Sequence, residues 1–392
     1  MHKKIPTVLL AIENSRAYGR GLLRGITTYM NVHQPWFCLS NPDYYHTGID
    51  RTFDIAKIKK DQIDGIIMRE MSAPVMKKVQ ALDIPLIICS HFTFINESPF
   101  LMTDCKGIGV KGAEHLLERG YQYFGYCSAG DFVWCKRREN AFVQTVQAKG
   151  FDVEVYENTK RQGTLSSEIN HLARWLEKLP KPIAIMCSTD DKARDVVDAC
   201  RASRIRVPEE VAVLGVDNDD LVCEMAHVPI SSIALGTREA GYAAAEQLDM
   251  LIQQQVYDNK FIIVPPTHVH VRRSTDILAI DDQVVVKALE YIHTNTNIPI
   301  GIMEVAKSVG YSERGLYKKF QQSLGRTVAQ EIARKRIEKI CLLLETTVLT
   351  SRAIAEIMNI SDEKHLSRYF KKHKQLSPMQ WRSQYGHLHN RN

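Results

Sequence analysis

A change of periodicity near residue 276 splits the 392-residue chain into two folding problems. Before it, from Thr7 to about Val269, short β-branched runs alternate with amphipathic stretches. Thr7 to Ala11, Gly65 to Met68, Leu86 to Cys89, Phe124 to Cys127, Ala184 to Cys187 and Val211 to Val216 have the unbroken apolar character of strands buried on both faces. Between them, Arg20 to Met30, Val110 to Arg119, Arg138 to Lys149, Glu168 to Leu179, Lys192 to Ser203 and Glu239 to Ile252 carry helical spacing. Such alternation builds βαβ units, so parallel sheets with helices on both faces are expected. No internal repeat shows in this part. After Asp276 strands vanish and helical periodicity runs from Val284 to Tyr385, with polar breakers between Ser274 and Asp282. The expectation is an α/β domain over residues 1–276 and an all-α domain over residues 277–392.

Charge divides the same way. Residues 277–392 hold 18 Lys and Arg against 11 Asp and Glu, a net of +7, whereas residues 1–276 hold 33 against 34. A basic block on a neutral body suits phosphate contacts with nucleic acid, although a solvated basic surface would give the same count. The longest apolar runs, such as Val8 to Ile12 and Ile84 to Cys89, fall short of the roughly 20 residues a membrane span needs. Met1-His-Lys-Lys is followed by only a short apolar run before Glu13, Arg16 and Arg20, without the long apolar middle and cleavage site of a signal peptide, so a cytoplasmic location is expected. Nine cysteines stand as singletons, which fits reduced thiols in the core better than a disulfide frame. His268 with His270, and His387 with His389, have spacing a metal could use, but four convergent ligands do not show and no metal or cofactor is expected.

Within the basic block one plan occurs twice. Met303, Val305 and Ala306 lead to Gly310, after which Ser312 can cap a helix carrying Leu316 and Phe320. Ile354, Ile357 and Met358 lead to Asn359, after which Ser361 or Asp362 can cap a helix carrying Leu366 and Phe370. Gly and Asn both tolerate the left-handed backbone of a tight turn. A helix from about Val328 to Glu345 joins the two, with Ala333, Ile337, Cys341 and Leu344 as its apolar stripe. Its length approaches the ~34 Å between successive major grooves on one face of a duplex, so two recognition helices on one chain could enter adjacent grooves.

These residues resemble the carboxy-terminal signature of the AraC/XylS family, over about Val284 to Tyr385. The strongest parts are Ile332 to Leu344, Ala355 to Ile357, Leu366-Ser-Arg-Tyr-Phe-Lys-Lys, and Ser377-Pro378 followed by Trp381-Arg382. Asn359-Ile360 departs from the Gly-Phe usual in that family. The resemblance implies two helix-turn-helix units on double-stranded operator DNA. Base edges would be read by Arg314, Tyr317 and Lys318 in the first unit and by Glu363, Lys364 and Arg368 in the second. Arg and Lys can donate to guanine and Glu can accept from cytosine.

In parallel α/β domains, ligands bind where loops leave the carboxyl ends of strands. Those places hold Glu13-Asn14-Ser15-Arg16, Ser90-His91, a loop ending in Lys136-Arg137-Arg138, Ser188-Thr189-Asp190 and Asp217-Asn218-Asp219. Asp, Asn and Arg can each grip two neighbouring hydroxyls, which suits a polyol. Tyr18, Tyr44 and Trp134 could cover a sugar face, while Thr189 and Asp217 could equally be helix caps. The segments GAEHLLERGYQYFGYCS, Arg138-Glu-Asn-Ala-Phe142, VAVLGVDND, REAGYAAAEQL and VRRST resemble the effector-binding domain of the LacI family and the sugar-binding periplasmic proteins. That likeness implies a periplasmic-binding-protein-like domain of two lobes, about 5–120 with 237–257 and about 122–232 with 261–276. Three crossovers would join them, near Tyr121, near Ala234 and near Lys260. The ligand set it implies is Asn14, Arg16, Arg138, Thr189, Asp217 and Asn218, with a monosaccharide as effector and D-xylose favoured. A homodimer is the expected form, with RNA polymerase as a further partner if the regulator activates.

An enzyme is the rival class. Asp190 with Asp191, or Glu13 with Asp217, could form an acid/base pair. No phosphate-cradling loop, nucleophile elbow or dinucleotide fingerprint occurs, which disfavours it.

Overall fold

The computed structural model describes residues 5–33, 35–40, 62–90, 99–156, 165–255, 261–276 and 282–385. Packing divides them into two units, residues 1–114 with 123–274, and residues 115–122 with 275–392.

The first unit holds two six-stranded sheets. One contains β1 (Thr7–Ala11), β2 (Phe37–Ser40), β3 (Gly65–Arg69), β4 (Leu86–Ser90), β5 (Phe100–Thr103) and β11 (Phe261–Val264), in the order β2-β1-β3-β4-β5-β11. The other contains β6 (Tyr123–Cys127), β7 (Val153–Tyr156), β8 (Ile183–Cys187), β9 (Val211–Val216), β10 (Ser231–Leu235) and β12 (Pro266–His270), in the order β7-β6-β8-β9-β10-β12. Every pairing is parallel except β10 with β12. Strands β8 and β9 are buried at every residue, which is why they read as continuous apolar runs. The helices are α1 (Ala17–Val32), α2 (Ala73–Gln80), α3 (Cys105–Leu117), α4 (Val133–Gln147), α5 (Leu165–Lys178), α6 (Asp190–Ala202), α7 (Asp220–Met225) and α8 (Thr237–Ile252). Leu22 and Ile26 of α1 and Leu248 of α8 bury against β1 and β3, each such side chain contributing roughly 1.5–3 kcal/mol. Helices α1 and α8 come close enough for backbone contact: a Cβ on Gly241 would lie 2.1 Å from the Leu22 carbonyl oxygen.

Two of the expected crossovers move. The first falls at Asp104, between β5 and α3, not near Tyr121. Helix α3 already packs on the second sheet, with Gly112 against Met186 of β8 and Gly109 against α4. The second falls at Gly236, close to the expected Ala234. The third falls at Pro265. Strand β11 pairs with β5 in the first sheet, so residues 261–264 leave the lobe to which the sequence assigned them. Lys260 itself lies outside the described residues, as do Tyr44, His91, His387 and His389. Which sheet a strand joins is a matter of tertiary pairing, and periodicity carries no sign of it.

The second unit is helical: α9 (Gln283–Thr294), α10 (Ile302–Ser308), α11 (Glu313–Leu324), α12 (Val328–Thr346), α13 (Ser351–Ile357), α14 (Glu363–Lys374) and α15 (Pro378–Tyr385). It has two small cores, and α12 supplies both. Val328 and Ile332 join Val285, Ile292, Val305, Leu316 and Phe320, whereas Ile337, Ile340 and Leu344 join Ile354, Met358, Leu366, Phe370 and Trp381. Arg119, buried in the turn grouped with this unit, donates from Nε to the Thr275 carbonyl at 2.7 Å.

Candidate functional site

In both sheets of the first unit the strand order reverses at the second strand, so a crevice opens beside β1 and β3 in one lobe and beside β6 and β8 in the other. Helix α4 begins at Val133, so Lys136-Arg137-Arg138 lie within it and not at the end of the expected loop; Arg138 reaches this crevice from α4 and is buried. Its Nη1 donates to the Ser188 carbonyl and its guanidinium lies 4.8 Å from the Trp134 ring centroid. Phe132 stacks on Trp134 in turn, at 5.7 Å and 9°. Asp217 follows β9 with φ +102° and Asn218 with φ +49°. Two consecutive non-glycine residues of positive φ are a strained conformation of the kind that recurs at ligand sites.

Among the described residues, Asp217 Oδ1 and Arg138 Nε are buried polar atoms without a hydrogen-bond partner. Desolvation pushes the Asp217 carboxyl up to about 6, opposed by the Arg138 and Arg69 charges. A polar ligand inserted here would satisfy both atoms, and in native proteins such atoms are seldom left unpaired.

The remaining expected ligand residues are placed as follows. Asn14 is exposed in the loop after β1. Arg16 makes two bonds to Asp191 of the opposite lobe, at 2.7 and 3.1 Å. Thr189 caps α6 by accepting from the Lys192 amide at 3.2 Å. The Asn218 side-chain oxygen accepts from Arg272 Nη1 at 2.9 Å, while Arg272 also binds Glu224 and the Ile230 carbonyl, which explains the arginine of the VRRST segment. Sequence reasoning missed Arg69, which ends β3 and lies 5.7 Å over the Tyr18 ring. Its place at a strand's carboxyl end was the available signal. Tyr18 is buried and bonded to Thr103 Oγ1 at 3.0 Å, so its hydroxyl is engaged. Of the acid/base pairs considered, Asp190 accepts from the Asp219 amide at 2.7 Å and from Ser232, whereas Asp191 turns to Arg16. The two neighbours serve different partners.

In the second unit each helix-turn-helix follows its local chemistry. Gly310 (φ +65°) and Asn359 (φ +49°) take the left-handed turn. Ser312 then accepts from the Gly315 amide at 3.1 Å, and Asp362, not Ser361, accepts from the His365 amide at 2.8 Å. Leu316 and Phe320 bury one face of α11, leaving Arg314, Tyr317 and Lys318 exposed; Leu366 and Phe370 bury one face of α14, leaving Glu363, Lys364 and Arg368 exposed. The six expected base readers thus stand on outward faces of two capped helices. Arg336 does otherwise. It is buried, and it donates to the carbonyls of Thr296 and Ile298 at 3.0 and 2.6 Å and of Met358 at 2.6 Å, fastening the two helix-turn-helix units across α12. Ser377 and Gln380 close a reciprocal cap on α15, at 2.8 and 3.2 Å, and Trp381 Nε1 donates to Glu345 at 3.0 Å, so the Ser-Pro and Trp-Arg motifs are structural.

The chain joins a periplasmic-binding-protein-like domain to a helix-turn-helix DNA-binding domain, the plan of a transcription regulator. Residues 113–275 match the model of the periplasmic binding protein-like domain and residues 305–384 that of a helix-turn-helix domain. The chain is similar to the xylose operon regulatory protein of Escherichia coli K12, 28% identical over 97% of this chain and 98% of that one. It is also 28% identical to the xylose operon regulatory protein of Haemophilus influenzae, over 96% and 97%. A solved xylose-binding transcription activator superposes with a TM-score of 0.62 at 26% identity, covering 98% of this chain and 100% of that structure. Among the described residues no helix is long and apolar enough to cross a membrane.

Proposed function

We propose that the first unit senses a monosaccharide, with D-xylose favoured, and that the second binds operator DNA through both helix-turn-helix units according to sugar occupancy. The observation that carries the sensing half is the pair of buried, unpartnered atoms, Asp217 Oδ1 just after β9 and Arg138 Nε on α4. A carboxylate accepts from two adjacent hydroxyls and a guanidinium donates to ring or hydroxyl oxygens, so the pair suits a polyol. Arg138, Asp217, Thr189 and Asn14 are the proposed sugar contacts, with Trp134 covering one sugar face. Arg314, Tyr317, Lys318, Glu363, Lys364 and Arg368 are the proposed base readers. The regulator works in the cytoplasm as a homodimer, with RNA polymerase as partner where it activates, and the sugar leaves unchanged.

Calorimetric titration of the full chain with D-xylose, D-ribose, L-arabinose and D-glucose tests the sensor. Operator selection from a random duplex pool, with and without sugar, tests the coupling. D-xylose should bind most tightly and change operator affinity. Absence of binding by every monosaccharide, or release of altered sugar, overturns the sensing half; sugar binding with unchanged DNA affinity overturns the coupling.

A further inference from the structure

Two arginines of one lobe meet two aspartates of the other at the rim of the cleft, where Arg194 of α6 also lies 3.6 Å from Asp191. Arg16 and Arg20 stand at the start of α1 in the first lobe, facing Asp191 and Asp219 at the starts of α6 and α7 in the second. Arg16 grips Asp191 with a two-pronged contact, Nε to Oδ2 at 2.7 Å and Nη2 to Oδ1 at 3.1 Å. Arg20 Nη2 donates to Asp219 Oδ2 at 2.9 Å, and the same oxygen accepts the Ala17 amide at 2.7 Å. The other oxygen of Asp219 accepts from the Val222 amide of its own lobe at 3.5 Å. One carboxylate therefore serves the first turns of helices from both lobes, where negative charge is favoured. Asp219 is 2% exposed and its own amide is held by Asp190, so its position is fixed.

We propose that Arg16–Asp191, together with Asp219 and its partners Arg20 and the α1 amino terminus, form an interlobe latch. These four side chains are positioning residues for ligand capture: they set how much of the time the lobes are closed, and other residues touch the ligand. The ligand arm of this inference rests on the monosaccharide reading above; the closure arm does not. Apparent affinity scales with the closed fraction, so loosening the latch weakens binding in proportion. The Arg16–Asp191 pair is exposed, and its loss should weaken sugar binding about two- to fivefold. Asp219 is buried with three donors, and removing its charge should weaken binding about tenfold or more.

The test uses the full chain with spin labels at Arg24→Cys and Ala202→Cys, with Cys38→Ser removing the exposed native thiol. Interlobe distances are measured by pulsed dipolar spectroscopy, and D-xylose affinity is measured on the same variants. Arg16→Glu and Asp219→Asn should each shift the distances toward longer values, as should 1 M salt on the wild type. Asp191→Arg added to Arg16→Glu should restore both the distances and the affinity. Unchanged distances in Arg16→Glu and Asp219→Asn overturn the latch. So does a swap that restores distance but not affinity, because Arg16 then binds the sugar itself. If the variants open as expected while no monosaccharide alters distance or binds, the latch stands and the sugar reading falls.

Discussion

Asp217→Asn should make the sensor more stable while weakening its ligand binding. The ordinary aspartate pKa of 3.8 is raised to about 6 at Asp217, chiefly by desolvation. A carboxyl whose folded pKa lies above its unfolded value takes up a proton on folding inside that interval. Its contribution to stability is therefore lost as pH rises through the window, and above pH 6 the ionised group opposes folding in full. At about 1.4 kcal/mol per pH unit, the displacement amounts to about 3 kcal/mol at neutral pH. Asparagine removes the charge, keeps nearly the same volume and tolerates the positive φ at this position. Scanning calorimetry of the full chain, which can resolve the two units, should show the sensor transition raised by up to about 6 to 12 °C at pH 7.5 and little changed at pH 4. D-xylose binding should fall at least tenfold, since a charged hydrogen-bond partner is worth about 1.5 to 3 kcal/mol. Wild-type affinity should be flat well above pH 6 and decline as pH falls through about 6 and Asp217 protonates. A variant no more stable than wild type at pH 7.5, or one with undiminished sugar affinity, refutes the reasoning.

Arg368→Ala should relax base preference at one operator position at a cost of about 1 to 3 kcal/mol, read by binding to a set of single-base operator variants; uniform weakening on every sequence would make it a phosphate contact. Arg336→Met should destabilise the helical unit by about 1 to 3 kcal/mol, because three carbonyls, the buried one of Met358 among them, lose their donor, and should weaken operator binding more than non-specific binding; equal losses on both duplexes would refute its role in holding the two units in register. Gln375 ends α14 at φ +61°, the position Gly325 holds after α11, so Gln375→Gly should stabilise by up to about 1 kcal/mol in chemical denaturation, and a loss of stability would refute the strain.

Much of the cleft was legible because strand ends are local. A buried apolar run names a strand, and the residues just after it fall at the crevice whatever the rest of the chain does, which is how Thr189 and Asp217 could be placed at strand ends, whereas Arg138 stands inside α4 and was reached through the family resemblance. The same rule applied one residue beyond Met68 would have found Arg69. The partners were not legible. That Arg16 meets Asp191 and that Asn218 meets Arg272 depends on which lobes and loops come together over separations of 175 and 54 residues. The crossovers at Asp104 and Pro265 were hidden for the same reason. The two lobes even share one strand order, β2-β1-β3-β4-β5 and β7-β6-β8-β9-β10, with no repeat visible in sequence. Apolar burial accepts many side chains of similar volume, so packing alone preserves no motif.

The helical unit behaves in the opposite way, because its repeat is written in caps and turns that admit few residues. Leu316 and Leu366, Phe320 and Phe370, Thr327 and Ser377, and Gln330 and Gln380 are each fifty residues apart. Glu313 and Glu363, Arg314 and Lys364, and Lys318 and Arg368 keep the same interval, so exposed cations recur at matching places on α11 and α14. The turns break the register by one: Gly310 and Asn359 are forty-nine apart, and the second turn carries the extra residue. That insertion explains why the cap passes from Ser312 to Asp362, with Ser361 left inside the turn. It leaves each recognition helix starting at the same distance from its buried leucine. The faces proposed to meet DNA therefore differ in chemistry at Tyr317 and Ser367 and agree in charge at Arg314/Lys364 and Lys318/Arg368. Two half-sites that share a phosphate or guanine position and diverge at the base facing Tyr317 are what such a pair of helices would select.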